Sequence, residues 1–301
     1  MMWSRSDLCH NLIKMAILVI ILLPFISCEK MDQPSSTSKQ ATAGNVSLTF
    51  TPTTKDFTRA ALSSYFSKLN VMVFAQDGTR AFDKVMTQTK DDADFGTIRC
   101  KLASGRYTVV AVGHSSAVSA TIKSPEAVQF TASDGKKLTD TFCHCSVIDV
   151  GDDGAQFSLE MFRAVAMVQF CFTDDEGELP VNFSRVRIDY TGGSANFNPT
   201  TMQGITRSTQ SELRTTNGIH IYQVFTFPYM SDTGTLKMTV TALDVDGTTI
   251  RTRQFDDVPV TRNRITTFEG DFFTEGDGQF SQSDFSFLIH ADWDGETHYD
   301  F

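Results

Sequence analysis

Short segments in which apolar and polar residues alternate recur along most of this chain, with turn residues between them. In the first such segment Val46, Leu48 and Phe50 fall on one face, and serine and threonine fall on the other. A period of two is that of a half-buried β-strand. Roughly six or seven such segments lie in each half of the chain, and none shows a convincing helical period. The pattern therefore predicts an all-β fold of two tandem β-sandwiches.

Two segments are apolar on nearly both faces, Leu69–Phe74 and Arg163–Phe172. A strand with two apolar faces is expected in the interior, with a packed layer on each side. By contrast, residues 191–217 are rich in Gly, Asn, Ser and Thr and are predicted to form a long surface loop. These patterns place an N-terminal sandwich at 45–161 and a C-terminal sandwich at 162–301.

The N-terminal segment has the pattern of an export signal. Arg5 and Lys14 precede the apolar run Met15–Ile26, which is shorter than the about 20 residues that a membrane-spanning helix needs. A basic flank and a short apolar core are typical of a secretory signal peptide. The run ends in Ile-Ser before Cys28, which resembles a bacterial lipobox. The sequence thus predicts a lipoprotein signal peptide over 1–27 and acylation of Cys28.

The alternative is an ordinary signal peptide in which Cys28 occurs by chance. Under the lipoprotein interpretation, several acyl chains such as palmitate anchor the mature protein stably, because one chain alone holds a protein only marginally. The polar, Ser/Thr/Gln-rich segment 28–44 is predicted to be a flexible tether.

Charge excludes one class of partner. The formal net charge is −10, and no basic stripe is present. An acidic chain repels phosphate backbones, so nucleic acid is not an expected partner.

The sequence does not decide whether the cysteines are thiols, form a disulfide or bind a metal. Besides Cys28, the exported chain contains Cys100, Cys143, Cys145 and Cys171, and four cysteines allow three pairings. The run Cys143-His144-Cys145 looks like part of a metal site, yet no second Cys/His pair stands at zinc-ligand spacing. Free thiols, one disulfide and a metal site are therefore all retained as alternatives, with free or buried thiols preferred.

Catalytic motifs are not evident. The chain contains no nucleophile elbow, no HExxH and no phosphate-binding loop. The SxxK pattern occurs at 36–39 and 133–136, where it is interpreted as a chance match. The acidic segment 292–296 is interpreted as a solvated turn, because it lacks the longer loop that calcium sites use. We expect no enzyme activity, no cofactor, no metal and no small-molecule substrate.

Four stretches resemble a known family: KLNVMVFAQDGT (68–79), LASGRYTVVAVGH (102–114), FRAVAMVQFCF (162–172) and VPVTRNRITTFEGDFF (258–273). They are similar to the fimbrial anchor and minor-subunit lipoproteins of Bacteroidales type V pili, the FimB/Mfa-type family. The resemblance covers nearly the whole mature chain, and the last two stretches are its most specific part.

The resemblance implies a pair of transthyretin-like β-sandwiches and attachment to the outer membrane. It also implies assembly with other fimbrial subunits by strand exchange, a role in cell adhesion, and no catalysis. An alternative from another class is a surface glycan-binding lipoprotein of an outer-membrane uptake system. Glycan sites usually expose aromatic platforms, whereas this chain has only 2 Trp and its 25 Phe lie mostly at inward positions.

The family also implies a proteolytic step after the first strand in its stalk subunits. Arg59 occupies a fitting position for cleavage, and Lys55 is an alternative. An anchor must keep its first strand, because cleavage there would also remove the lipid. We therefore predict that the strand at 45–51 stays attached.

The last segment, 284–293, has the cleanest alternation in the chain. One face carries five apolar residues: Phe285, Phe287, Ile289, Ala291 and Trp293. Two interpretations remain open. The segment completes the sheet of its own domain, or it adds as a strand to the sheet edge of another subunit.

Overall fold

In this computed structural model, the described residues are 45–52, 62–130, 138–175, 177, 179–216 and 218–273, together with the backbone of 286–290. Their strands are β1 (Val46–Pro52), β2 (Lys68–Ala75), β3 (Met86–Thr89), β4 (Thr97–Cys100), β5 (Gly105–His114), β6 (Ala120–Ser124), β7 (Ala127–Phe130), β8 (Phe142–Val150), β9 (Ala155–Arg163), β10 (Ala166–Phe172), β11 (Arg185–Thr191), β12 (Asn196–Asn198), β13 (Gln203–Gly204), β14 (Gln210–Thr215), β15 (Ile221–Thr226), β16 (Thr233–Leu243), β17 (Thr249–Thr261), β18 (Ile265–Gly270) and β19 (Ser286–His290). One helical turn, α1 (Leu62–Tyr65), precedes β2. The prediction of an all-β fold built from several packed sheets is confirmed.

A seven-stranded sheet in the order β3-β2-β5-β8-β9-β1-β4 forms the N-terminal sandwich. Its two parts face each other, because inward side chains of β1, β4 and β9 pack in one cluster with those of β2, β5 and β8. The two parts are joined where β8 pairs with β9 at Phe142 and Cys143.

The interior strand β2 shows why the run LNVMVF is apolar on both faces. Leu69, Val71 and Val73 enter the N-terminal core, whereas Met72 and Phe74 enter a second cluster on the other side of the sheet. Each face of β2 is therefore covered by a packed layer, as the sequence predicts.

The second cluster lies against a sheet to which both halves of the chain contribute. This sheet has the order β13-β12-β7-β6, and Phe197 of β12 stands opposite Val128 of β7. Residues Gly44–Phe301 fall into one unit by their contacts. The division into domains at 161/162 stays a prediction, and a sheet crosses it.

The C-terminal sandwich consists of two four-stranded sheets, in the orders β15-β10-β18-β19 and β14-β11-β16-β17. Alternate residues of β10 enter its core, among them Val168, Phe170 and Phe172, and Phe170 stacks on Phe268 with ring centroids 5.5 Å apart. The remaining residues of β10 are also buried, so this strand is interior as predicted.

The prediction of a long surface loop over 191–217 is wrong. Three strands lie there, β12, β13 and β14. The first is short and contributes one core side chain, Phe197, and β14 buries the polar residues Gln210 and Glu212. Neither β12 nor β14 therefore shows an apolar alternation in its sequence.

Candidate functional site

The first strand, β1, is an internal strand of its sheet although it is the first described element of the chain. It pairs antiparallel with β4 on one side and parallel with β9 on the other. The parallel ladder runs from Val46 opposite Ala155 to Pro52 opposite Met161. No hairpin joins β1 to either of these neighbours, so β1 is a candidate for strand exchange.

The inward face of β1 supplies a row of side chains to the N-terminal core. Val46, Leu48 and Phe50 are 0%, 0% and 2% exposed. The outward positions are serine and threonine and are half-buried. The alternation predicted from the sequence is therefore confirmed, and the inward face of β1 forms a row of three buried side chains.

A side-chain clip fixes the beginning of β1. The Asn45 amide Nδ2 donates to the carbonyl oxygen of Leu102 at 2.6 Å, and the Leu102 amide donates to Asn45 Oδ1 at 2.9 Å. The backbone N–H of Ala155 donates to the Asn45 carbonyl at 3.0 Å. Gly154 fits beneath this turn with φ +81°, where an added Cβ would lie 2.0 Å from the Asn45 oxygen.

A second clip closes the opposite edge of this sandwich. The side chain of Gln88 on β3 donates to the carbonyl oxygens of Asp94 and Thr97, and it accepts from the N–H of Gly96. The Gln88 side chain thus makes hydrogen bonds to backbone groups at and just before β4, as a neighbouring strand would. Edge strands otherwise present unpaired backbone groups that invite further strands.

The junction between the two halves is built around Arg163, whose side chain is 5% exposed. Its guanidinium donates two hydrogen bonds to the Asp140 carboxylate, at 2.8 and 3.0 Å, and a third to Asn263 Oδ1 at 2.9 Å. It also lies over the ring of Phe142, 4.7 Å from the centroid. A bidentate arginine–carboxylate pair holds both partners in one orientation.

The loop between β17 and β18 completes this junction. Asn263 adopts φ 60°, and its backbone N–H donates to the carbonyl of Val165 at 2.9 Å. Arg262 pairs with Asp232 at 2.9 Å. The two most specific stretches of the family resemblance, about 100 residues apart in sequence, therefore meet at one place. The sequence gives no signal for this pairing.

The C-terminal strand β19 lies at the edge of its sheet and pairs antiparallel with β18. Phe287 stands opposite Phe268, and Ile289 stands opposite Thr266. The backbone thus takes its place in the sheet of its own chain. Phe285, Ala291 and Trp293 lie outside the described residues, so the five-residue face and its role in strand addition stay a prediction.

Several other predicted positions also lie outside the described residues. These are Cys28, Lys55, Arg59, both SxxK matches and the acidic segment 292–296. Their roles stay predictions.

Cys100, Cys143 and Cys145 are free thiols in the structure, and Cys171 accepts a hydrogen bond from the Gln169 side chain at 3.5 Å. Burial raises the pKa of Cys143 well above its usual value, and the neighbouring Cys145 raises it further. His144 points to the other face and contacts the Glu160 carbonyl and the Ser146 hydroxyl at 2.6 and 2.7 Å. Among the described residues, no group of three or more His, Cys, Asp and Glu side chains is placed to hold a metal ion.

A buried polar network around His114 was not predicted. Nε2 of His114 lies 2.8 Å from Asn70 Oδ1, and the Ser116 N–H donates to Nδ1 at 3.2 Å. This pattern is that of a neutral imidazole with its proton on Nε2. Burial, and second the positive charge of Lys68, lowers the pKa of His114 to about 4.

A second buried network links two edge strands of the C-terminal sandwich. The Tyr190 hydroxyl lies 3.0 Å from Glu212 Oε1, and Glu212 also pairs with Arg214 on β14. Arg214 donates to the carbonyl of Gln223 on β15 at 3.2 Å. Burial and the charge of Glu212 raise the pKa of Tyr190 well above its usual value. Both networks join residues that are distant in sequence.

No helix within the described ranges is both long enough and apolar enough to cross a membrane. No curated protein matches the chain.

Three solved structures from Bacteroidales species are among those similar to this chain. One is a Bacteroides thetaiotaomicron protein described provisionally as polysaccharide binding (DUF1812), with a TM-score of 0.52 and 11% identity over 81% of this chain and 95% of that one. Another is the fimbrial anchor protein Mfa2 from Porphyromonas gingivalis, with a TM-score of 0.46 and 13% identity over 84% and 99%. A fimbrial assembly protein from Parabacteroides distasonis has a TM-score of 0.41 and 13% identity over 81% and 94%.

At these identities the likeness to the first structure shows a shared fold. One family model matches residues 37–300 of the 301 residues in the sequence. The chain therefore belongs to the family of unknown function DUF6562.

Proposed function

We propose that this protein is a structural lipoprotein subunit of a cell-surface fimbrium, serving as its outer-membrane anchor or as an accessory subunit. It assembles with other fimbrial subunits by β-strand addition and carries out no catalysis. The lipid on Cys28 attaches it to the outer membrane.

The position of β1 is the observation that carries this proposal. A strand that pairs with β4 and β9 and buries three alternate side chains, without a hairpin to either neighbour, is suited to pairing in cis or in trans. Backbone pairing supplies affinity in strand addition, and the alternating side chains supply register. The sequence resemblance at the junction residues and the lipobox at Cys28 support the same proposal independently.

Cys28→Ala tests membrane attachment, with Cys9→Ala as the matched control. Cys9 lies in the segment that is removed, so its loss should leave acylation intact. We expect the Cys28 variant to leave the membrane fraction and to be lost from purified fimbriae, while the Cys9 variant behaves as wild type. Retention of the Cys28 variant in the membrane, with a wild-type chain that still begins at Met1, would contradict the proposal.

N-terminal sequencing of the protein in assembled fimbriae separates an anchor from a polymerising subunit. An anchor keeps β1 and has a blocked, acylated Cys28. A chain that begins at Ala60 would instead identify a subunit that has been cleaved after Arg59. Binding on a glycan array, in a strain whose fimbriae are unaffected by deletion of the gene, would favour the glycan-binding alternative.

A further inference from the structure

Tension on this protein would enter and leave the N-terminal sandwich at opposite ends of one ladder. The upstream chain joins β1 at Asn45, beside the start of β9 at Ala155. The second half of the molecule continues from the far end of β9 at Arg163, beyond the level of Pro52. Because β1 and β9 are parallel, a pull between the N-terminal tether and the second half draws the two strands past each other along their length.

This geometry decides how the ladder fails. When two strands are pulled along their axis from opposite ends, all hydrogen bonds between them share the force and must break together. When they are pulled from the same end, the bonds break one after another, each at a low force. We propose that the β1–β9 ladder is a mechanical clamp, which gives this protein the further function of transmitting tensile load from its tether to its C-terminal half.

Three features of the described residues reinforce the clamp. The strand β4 pairs with β1 on its other side, so β1 must slide past two neighbours. Sliding must also drag Val46, Leu48 and Phe50 through a closely packed core. The clip between Asn45 and Leu102 binds the first residue that the force reaches.

The other end of the load path is fixed as well. Arg163 stands at the exit from β9, where its bonds to Asp140 and Asn263 hold the strand end to both halves of the molecule. Tension is thereby delivered to β9 along its axis instead of first loosening its end.

The inference relies on the proposed function only for the source of the load. The clamp itself is a property of the isolated chain. Failure of membrane attachment in the Cys28 experiment would remove the load but would leave the measured forces unchanged, so the two proposals fail separately.

Single-molecule pulling on the non-lipidated mature chain, Cys28→Ser, tests the clamp. One handle is placed at the N-terminus. The second is a short peptide tag, inserted either at the exposed turn around Val245 in the C-terminal half or at the exposed turn Asp152–Asp153 just before β9. At equal loading rate we expect the first geometry to rupture at about twofold higher force or more, since forced unfolding reports the unfolding barrier. Equal forces in the two geometries would overturn the proposal.

A pair of matched variants locates the resistance. Asn45→Ala removes the two hydrogen bonds to Leu102 at the loaded end, whereas Asn198→Ala removes one local hydrogen bond, from the Thr200 N–H to Asn198 Oδ1, away from β1. We expect Asn45→Ala to lower the rupture force in the first geometry and Asn198→Ala to leave it unchanged. An equal reduction by both would show that the resistance lies elsewhere and would overturn the clamp. Thermal unfolding of each tagged chain checks that the tag leaves the fold intact.

Discussion

The terminal strands of the two sandwiches differ in their position within the sheet. In the N-terminal half, β1 lies between two neighbouring strands and contributes three buried side chains to the core. In the C-terminal half, β19 lies at the edge of its sheet and pairs with one of the described strands, β18. An internal strand cannot leave without opening a core, whereas an edge strand can be removed with less damage. The difference makes the first strand the larger contributor to the stability of its own sandwich.

Deleting each terminal strand tests this comparison most severely. A chain that begins at Leu62 should lose the cooperative unfolding of its N-terminal half, because the lost contacts are comparable with the whole stability of a domain, about 5–15 kcal/mol. A chain that lacks Asp284–Phe301 should keep a cooperative transition. Thermal unfolding followed by circular dichroism measures both.

A peptide that spans residues 45–52 provides the control for the first deletion. Added in trans, it should restore the lost transition if the groove left by β1 stays competent. Loss of the transition in the C-terminal deletion would show instead that β19 is essential to its own core.

Replacing Phe50 by Ala tests how much the buried side chains of β1 contribute to stability. Removal of a fully buried phenylalanine should lower the free energy of unfolding by about 3–5 kcal/mol, because a cavity remains in the core. Thr49→Ala, on the outward face of the same strand, is the matched control and should change it by less than about 1 kcal/mol. Equal effects, measured by chemical denaturation, would contradict the inward placement of Phe50.

Arg163→Ala tests whether the two halves are coupled through the junction. The change removes the three hydrogen bonds that Arg163 donates to Asp140 and Asn263 in a largely buried site, which should lower the free energy of unfolding by about 3 kcal/mol or more. Arg262→Ala breaks a more exposed pair with Asp232 and should cost about 1 kcal/mol or less. Two separate unfolding transitions in the Arg163 variant would show that this residue couples the sandwiches, and a single unshifted transition would refute that role.

Acid should weaken the N-terminal half through His114. The pKa of this residue is about 4 in the folded protein and near its usual 6.5 in the unfolded chain. As the pH falls, the unfolded state takes up a proton on His114 at a higher pH than the folded state does. The contribution of neutral His114 to the free energy of unfolding is therefore complete above pH 6.5 and is lost as the pH falls towards 4. The loss attributable to His114 should approach about 3 kcal/mol. Urea denaturation of wild type and His114→Gln at several pH values measures it, and the variant should show a flatter pH dependence between 6.5 and 4.

The smallest expected effect is that of Asn45→Ala at the start of β1. The variant loses the clip to Leu102 and should be less stable by about 1–2 kcal/mol. Chemical denaturation measures this change, and Asn198→Ala serves as the control. A neutral outcome would leave pairing and packing as the only forces that hold β1.

Local patterns determined much of this fold. The alternation in 45–51 predicted β1 and its inward face, and the doubly apolar run at 69–74 predicted an interior strand. These features depend on the period of the strand and on the number of covered faces, which each segment displays in its own residues. The prediction failed at 191–217, where one phenylalanine and a few buried polar residues form strands without an apolar pattern.

Only the tertiary structure decided which segments meet. Nothing in the residues of β1 indicates that it pairs parallel with β9, more than 100 positions later. The same holds for the contact of Arg163 with Asn263, and for the buried setting that lowers the pKa of His114. Strand period and side-chain polarity are properties of a few neighbouring residues, whereas pairing partners, ion pairs and desolvation arise when distant segments are brought together around a common core. For this reason the sequence could predict the strands of the candidate site but not the clamp or the junction that they form.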